Sequence, residues 1–247
     1  MITIVLLNWN RHELLYKSLE SFTKSNCKDF NVLVVDNNSN TPVVIPDLPF
    51  EVFLLEMKTH LKSTSFIAAH NYGFYYALKF IKPDIIIMSH SEMYHVGDII
   101  GYVKENLNES NYISFGCYSL GVGETPDNVK IKNKCMTFDG ESAWYNHPIY
   151  RPRRSNFCSA ITADNLRKLN GFDERFCEGA WYDDDYFILQ IERLGLKIEL
   201  TAEPFVYHQN HPIAWGSREP IVKNQITFNA LKTETSYRAK HNYTPDL

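Results

Sequence analysis

Short apolar segments alternate with amphipathic ones over the first 92 residues, and this alternation constrains the fold more than any other feature. Buried strands are predicted at the apolar, β-rich runs 2–7, 30–35, 50–55 and 84–88. One helix is predicted to begin with Asn10 as its N-cap and Glu13 three residues later, and a second is predicted over residues 66–80. Strands joined by helices in this order favour a mostly parallel α/β sheet with right-handed crossovers.

The second half of the chain carries a less regular pattern. Strands are predicted at residues 113–117, 157–161, 197–200 and 205–208, and helices at residues 165–169 and 183–194. Residues 121–154 contain clusters of Gly, Pro, Asn and Asp and are predicted to form a long loop that covers a binding site. Residues 219–238 have weak helical character. A length of 247 residues is enough for one sizeable core with an appendage.

Charge and cysteine usage limit the partners and the compartment. A net charge of -4 gives no sign of avid nucleic-acid binding. The five cysteines are odd in number and no pair has the Cys-x-x-Cys spacing, so they are predicted to be free thiols of a reducing compartment. Since no run of about 18 apolar residues occurs, no membrane span is expected. These features favour a cytoplasmic protein, with any membrane association made through partners.

Polar side chains follow the predicted strands directly. Asn8 follows the first strand, Asp36 the second, and His90 and Glu92 the fourth. Ligands of parallel α/β sheets bind beyond the carboxyl ends of the strands, so these residues are expected to converge at one edge of the sheet. Asp36 suits hydrogen bonding to a nucleotide base or ribose, although an aspartate of a turn or helix cap accounts for this residue equally well.

The segment His90-Ser91-Glu92 offers two metal ligands two residues apart. In an extended turn both side chains can point the same way, and a departing diphosphate needs a cation to offset its charge. An imidazole together with a carboxylate suits Mn²⁺ better than Mg²⁺. A polar loop after a strand is the alternative interpretation.

Three consecutive carboxylates, Asp183 to Asp185, stand at the start of a predicted helix. The helix dipole partly explains them. Adjacent acids also repel one another, which raises a pKa and suits a general base. The aromatic neighbours Trp181, Tyr182 and Tyr186 are typical of a wall that binds sugars. The chain contains no Gly-x-Ser-x-Gly, Walker or His-Glu-x-x-His motif.

In order along the chain, several segments resemble the family 2 glycosyltransferases, which are inverting enzymes of the GT-A fold. The similar segments are TIVLLNWNRHELLYKSLESF (3–22), VLVVDNNSN (32–40), AAHNYGFYYAL (68–78), IIIMSHSEMYHVGD (85–98), LNGFDERF (169–176), WYDDDY (181–186) and VYHQNH (206–211). Each segment is modest, but the ordered set is specific. The resemblance covers the chain to about residue 212 and implies a Rossmann-like GT-A fold with a smaller acceptor-side part.

The resemblance also implies roles for individual residues. Asn8 and Asp36 would hold the nucleotide, and the predicted donor site also includes Asn10, Asn38, Asn71 and Ser91. His90 and Glu92 occupy the two positions of the family's Asp-x-Asp metal motif, and His208 would be the third ligand. Asp184 would be the general base, with Asp183 as the near alternative. The predicted division is a GT-A domain at 1–215, with a nucleotide-sugar half (1–100) and an acceptor half (101–215), and a helical extension at 216–247.

The predicted reaction transfers a sugar from a nucleotide-diphosphate donor, by default a UDP-sugar, to the hydroxyl of a glycan, a lipid-linked sugar or another acceptor. Arg151, Arg153 and Arg154 are candidates for assisting departure of the diphosphate. One alternative is a nucleotide-sugar binding protein with an impaired metal motif. The other is a nucleotidyltransferase, which is disfavoured because NWNRHE (8–13) is not a Gly-rich basic loop.

Overall fold

A computed structural model describes residues 1–58, 66–137, 140–212 and 218–247. The strands are β1 (Ile2–Asn8), β2 (Phe30–Asp36), β3 (Val52–Glu56), β4 (Ile85–His90), β5 (Met93–Val96), β6 (Asn111–Ser119), β7 (Ala143–Asn146), β8 (Ser159–Thr162) and β9 (Lys197–His208). The α-helices are α1 (His12–Phe22), α2 (Ile67–Tyr76), α3 (Ile99–Asn106), α4 (Ala163–Leu169), α5 (Asp183–Arg193) and α6 (Glu219–Leu231). A π-helical turn at Ala77–Ile81 extends α2, and a 3₁₀ turn lies at Glu174–Phe176.

The nine strands of the described residues belong to one mixed sheet in the order β3-β2-β1-β4-β8-β6-β9-β5, with β7 paired to β6. The first four strands in this order are parallel, β6 and β9 are parallel, and β8 runs antiparallel to both β4 and β6. The carboxyl ends of β1, β2, β4, β6 and β9 therefore lie at the same edge of the sheet, which we call the carboxyl edge. This arrangement confirms the predicted α/β class.

Apolar clusters cover both faces of the sheet, as the near-continuous apolar strands predict. Val5 and Leu7 of β1 pack into one cluster with α2 and α5, whereas Ile4 and Leu6 pack into the other with α1 and α3. Gly73 lets α2 approach the sheet, because a Cβ at that position would lie 2.7 Å from Val35 Cγ2. The apolar clusters on the two faces of the sheet thus pack the strands whose ends form the carboxyl edge.

Several local predictions were wrong. The N-cap of α1 is Arg11 without a side-chain hydrogen bond, because Asn10 Oδ1 accepts from the Asn40 N–H instead. Residues 197–208 form one strand rather than two. Its pairing with β6 shifts register where residues 202–204 bulge out. Strand β7 interrupts the predicted loop 121–154, and β5 and α3 follow β4 without having been predicted.

Two predictions from composition, free thiols and no membrane span, can be compared with the structure. All five cysteines are present as thiols in the structure, which confirms that part of the prediction. Within the described ranges, no helix has both the length and the apolar character needed to cross a bilayer.

The C-terminal residues dock on the 3₁₀ turn through a buried carboxylate. Glu174, which is 2% exposed, accepts hydrogen bonds from the backbone N–H groups of Asn242 and Tyr243, both at 2.5 Å, and of Thr244 at 3.3 Å. The hydroxyl of Thr244 also donates to Glu174. The end of the chain is thereby fastened to the segment that precedes α5. The predicted boundary at residue 216 stays a prediction.

Glu174→Gln is expected to destabilise the protein. The substitution turns one acceptor oxygen into an N–H donor that faces other donors, and hydrogen bonds to a charged group contribute about 1.5–3 kcal/mol. The expected loss in the free energy of unfolding is of that size, measured by urea denaturation. The control is Glu178→Gln, because Glu178 forms an exposed ion pair with Lys223, and a much smaller change is expected there. Equal losses in the two variants would contradict the assigned role of Glu174.

Candidate active site

A polar network joins the ends of β1 and β2. The parallel register sets Asn8 beside Asp36, and Asn8 Nδ2 donates to Asp36 Oδ1 over 2.8 Å. Ser39 donates to the same carboxylate through its hydroxyl, at 2.6 Å from Oδ1, and through its N–H, at 2.9 Å from Oδ2. Asn8 Oδ1 is buried and has no hydrogen-bond partner among the described residues. The carboxylate is thus held in a fixed orientation, next to an acceptor that a ligand donor could satisfy.

Asn10 and Asn38 lie in the loops around this network. The Asn10 N–H donates to Ser39 Oγ over 2.8 Å, and Asn10 Oδ1 accepts from the Asn40 N–H over 2.8 Å. Both Asn10 and Asn38 have a positive φ, at 54° and 59°, which asparagine tolerates better than most residues. The structure therefore brings together four predicted donor-site residues, namely Asn8, Asn10, Asp36 and Asn38.

Asn71 and Ser91, which were also predicted for the donor site, lie elsewhere. Asn71 is fully buried, where its amide donates to the Phe172 carbonyl at 2.9 Å and to Glu174 Oε1 at 3.2 Å, and accepts from the Phe172 N–H. These bonds give it a structural role between α2 and the 3₁₀ turn. Ser91 is buried and donates to Glu92 Oε2 at 3.2 Å. It belongs to the neighbouring cluster and not to the nucleotide network.

Glu92, His208 and His211 form the three-ligand cluster at the carboxyl edge. One ligand atom from each residue lies within 4.8 Å of the other two. The ends of β5 and β9 create this proximity, because Met93 pairs with His208 and the Gln209 N–H donates to the Glu92 carbonyl over 2.9 Å. Among the described residues, two of the three predicted metal ligands are present and His211 is the third.

His90 is next to this cluster but is not one of the three. Its ring packs against Phe66 and His70, with centroid distances of 4.7 and 4.9 Å. The backbone of Asn156 interacts with His90 and also with Asp184. His90 was predicted to be a ligand, but among the described residues the three-ligand cluster forms without it.

The tautomer of His211 favours a cation. His211 Nδ1 lies 2.9 Å from the Pro212 carbonyl oxygen, which can only accept, so Nδ1 carries the proton in the neutral ring. The lone pair of Nε2 then faces Glu92 Oε1 at 3.8 Å, and Nε2 is buried without a hydrogen-bond partner in the described part of the chain. Two facing acceptors repel unless a cation or a proton lies between them. The residues present therefore fit a divalent cation.

The electrostatics of the cluster also suit a cation. Burial favours the protonated form of Glu92, but His90, Arg11, His208 and His211 outweigh that effect and lower its pKa to about 2. Burial lowers the pKa of His208 to about 4. At neutral pH the carboxylate is ionised and His208 is neutral, which are the states that bind metals.

Asp183 and Asp184 form an acidic pair at the start of α5, directly after two residues with a strained backbone. The two residues before them, Trp181 and Tyr182, both have a positive φ, at 64° and 61°. Burial raises the pKa of Asp183 to about 6, with the charge of Asp185 adding to the effect. Burial and the charge of Asp183 raise the pKa of Asp184. Asp184 Oδ1 is buried without a hydrogen-bond partner among the described residues, so it is available to accept a proton.

Asp183→Asn is expected to shift the acidic limb of the pH–rate profile to lower pH. The neighbouring charge of Asp183 raises the pKa of Asp184, so removing that charge lowers the pKa and keeps Asp184 ionised in more acidic solution. The measurement is kcat of the predicted transfer reaction from pH 4.5 to 8.5. Asp185→Asn is the control, and a smaller shift is expected because Asp185 contributes less to the pKa of Asp184. An acidic limb that stays in place in both variants would contradict the coupling.

The guanidinium at the three-ligand cluster belongs to Arg11, which the sequence patterns did not single out. Arg11 Nη1 lies 2.9 Å from Glu92 Oε1. Of the three predicted arginines, Arg154 forms an exposed ion pair with Glu192 at 3.0 Å, and Arg151 stacks on Tyr145 with 4.4 Å to the ring centroid. Arg153 is exposed. Arg11 lies three residues beyond the end of β1, but no sequence pattern specifies the direction of its side chain.

No protein-family model matches this chain. In sequence it is 29% identical over 118 residues to YfnE, an uncharacterized glycosyltransferase of Bacillus subtilis (strain 168). That match covers 47% of this chain and 29% of YfnE.

Solved structures match far more of the chain. Staphylococcus aureus TarS 1–349 in complex with UDP-GlcNAc superposes with a TM-score of 0.61 at 12% identity, over 93% of this chain and 65% of that one. The catalytic domain of Drosophila β1,4-galactosyltransferase 7 with xylobiose gives 0.56 at 12% identity, over 91% and 79%. The mannosyltransferase PcManGT of Pyrobaculum calidifontis with GDP-Man and Mn²⁺ gives 0.56 at 12% identity, over 93% and 64%. The chain spans less than two thirds of YfnE, TarS 1–349 and PcManGT. At these identities the likeness shows the fold, and the chain has the GT-A fold of these glycosyltransferases.

Proposed function

We propose that this protein is an inverting glycosyltransferase that takes a sugar from a nucleotide-diphosphate donor, most simply a UDP-sugar, and belongs with the family 2 enzymes. The observation that carries the proposal is the pairing of two polar groups at the carboxyl edge with a buried acid pair. The Asn8–Asp36 network and the Glu92–His208–His211 cluster lie at the carboxyl edge of a GT-A fold, and the Asp183–Asp184 pair begins α5, the helix before β9. The backbone of Asn156 affects the pKa of both Asp184 and His90, which is next to the cluster. The glycosyltransferase name of YfnE and the nucleotide complexes of TarS and PcManGT support the proposal.

The donor site is proposed to bind the nucleoside through Asp36 and Asn8. Asp36 accepts hydrogen bonds from the nucleoside, while the unpartnered Asn8 Oδ1 accepts one more. Glu92, His208 and His211 would hold a divalent cation, whose charge would offset that of the departing diphosphate. Two imidazoles and one carboxylate favour Mn²⁺ over Mg²⁺ as that cation.

The proposed chemical step is a single in-line displacement. Asp184 removes the proton of the acceptor hydroxyl, and the acceptor oxygen forms a bond to the anomeric carbon. The bond between that carbon and the phosphate oxygen breaks, and its electron pair leaves with the nucleoside diphosphate. One displacement inverts the anomeric configuration. The raised pKa of Asp184 suits this role. A base whose pKa lies near the working pH is both ionised and basic enough to remove a proton.

A screen for donor hydrolysis tests the proposal. Purified protein is incubated with UDP-, GDP- and CDP-linked sugars, with and without MnCl₂, and release of the nucleoside diphosphate is measured. The proposal predicts slow hydrolysis of one donor class, stimulated by Mn²⁺ and lost in Asp36→Ala. A protein that binds a nucleotide sugar but hydrolyses none, and transfers none to a panel of glycan acceptors, would instead be an impaired binding protein. A protein that binds no nucleotide sugar would contradict the proposal.

A further inference from the structure

Arg11 occupies the oxygen that a cation at the three-ligand cluster would need. Glu92 Oε1 forms an ion pair with Arg11 Nη1 at 2.9 Å, and the same oxygen faces His211 Nε2 at 3.8 Å. The other oxygen, Glu92 Oε2, accepts from the Ser91 hydroxyl at 3.2 Å. The guanidinium therefore neutralises the carboxylate.

Two effects oppose the binding of a cation when no nucleotide is bound. The cation must take Oε1 from the guanidinium, and it then stands beside a positive charge that has lost its partner. Both effects weaken the binding of the cation. A nucleoside diphosphate removes them, because its oxygens give the displaced guanidinium a new bidentate partner.

The backbone around Arg11 suits a side chain that changes partner. Asn10 is fixed to the second loop by its bonds to Ser39 and Asn40, so the Cα of the next residue has a defined position. The side chain of Arg11 is 27% exposed, and Glu92 is the ion-pair partner that holds it. A long arginine side chain can turn about its own torsions while its anchor stays in place.

We propose that Arg11 is an exchangeable counter-ion, which pairs with Glu92 in the empty site and with the diphosphate in the loaded one. The binding of the divalent cation and of the nucleotide is then mutually dependent, and by linkage each tightens the other by the same factor. The inference rests on the proposed function, because it needs both ligands at the carboxyl edge.

The test measures Mn²⁺ binding by electron paramagnetic resonance with and without saturating UDP, in wild type, Arg11→Gln and Arg11→Lys. The exposed Lys17→Gln on α1 is the charge-matched control. In wild type and in the control, UDP is expected to tighten Mn²⁺ binding by about 10-fold or more, within the usual range of coupling. In Arg11→Gln, Mn²⁺ alone is expected to bind at least about 5-fold tighter than in wild type, and the coupling to UDP is expected to be weaker than in wild type by about the same factor. Arg11→Lys keeps the charge and should keep the weak binding of Mn²⁺ alone.

Equal Mn²⁺ affinities and equal coupling in wild type and Arg11→Gln would overturn the inference. If neither wild type nor Arg11→Gln binds Mn²⁺ while both still bind UDP, the inference and the proposed metal site are wrong. The proposed donor site is then still supported. If calorimetry detects no UDP binding to folded wild type, the UDP-sugar assignment fails and the inference fails with it. Circular dichroism of each variant verifies that a loss of binding is not a loss of folding.

Discussion

Asp184→Asn is expected to lower the rate of sugar transfer by about 10²–10⁴-fold, the range that a positioned general base supplies. Asparagine has nearly the same shape but cannot accept the acceptor's proton at working pH. The affinity for UDP should stay within about threefold of wild type, since Asp184 lies outside the Asn8–Asp36 network. The measurement is kcat with the donor and acceptor pair that the screen identifies. Asp185→Asn, an exposed acid one position along, is the matched control.

The same substitution should stabilise the fold at neutral pH. The pKa of Asp184 is raised in the folded protein, so the native state binds more protons than the unfolded chain between the two pKa values. Stability is then lost as the pH rises through that interval. Asparagine removes this loss, and the melting temperature should rise by a few degrees at pH 7.5 and change little at pH 4. A variant with full activity would refute Asp184 as the base. A lower melting temperature at pH 7.5 would show that its charge is better compensated than the geometry indicates.

Glu92→Gln should remove both the divalent cation and most of the activity. The substitution replaces the only carboxylate of the three-ligand cluster with an amide, which is a poor ligand for Mn²⁺, and the affinity should fall by at least about 100-fold. Transfer should fall by about 10²–10³-fold, because a cation at a departing diphosphate is worth several kcal/mol and each 1.36 kcal/mol is tenfold in rate.

Mn²⁺ titration and kcat measure the two effects separately. The control is Glu199→Gln on β9, whose carboxylate pairs with Lys197 and lies outside the cluster. If Glu92→Gln keeps both its Mn²⁺ affinity and its rate within about threefold of wild type, the cluster is not the cation site. A retained affinity with a lost rate would show that His208 and His211 suffice to bind the ion but not to place it.

The sequence predicted the positions of those site residues that stand beside an apolar run or at the start of a helix. Asn8 and Asp36 each follow an apolar run, and parallel pairing of those runs sets them side by side, so periodicity alone indicated their proximity. Asp183 and Asp184 mark the start of a helix by their own charges. In such cases the chemistry of a few adjacent residues determines the geometry.

Residues placed by tertiary pairing were not predictable in the same way. His211 joins Glu92 only because β5 turns back along β9, and β5 is a four-residue strand that propensity alone does not reveal. Arg11 finds Glu92 across 81 positions of sequence, through a side chain whose direction no pattern specifies. Asn71 was assigned to the donor site by resemblance. In the structure its side-chain amide is buried between α2 and the 3₁₀ turn, where both its N–H donors and its oxygen form hydrogen bonds within the protein.

The central claim is that the carboxyl edge is the donor site. A crystal structure with UDP and Mn²⁺ tests this claim most directly. We expect the nucleoside to lie against Asp36 and Asn8 and the ion on Glu92, His208 and His211. We expect the diphosphate to lie between them, within reach of Arg11 and beside Asp184. Ordered UDP at any other surface, with the Asn8–Asp36 network and the Arg11–Glu92 ion pair unchanged, would contradict the claim.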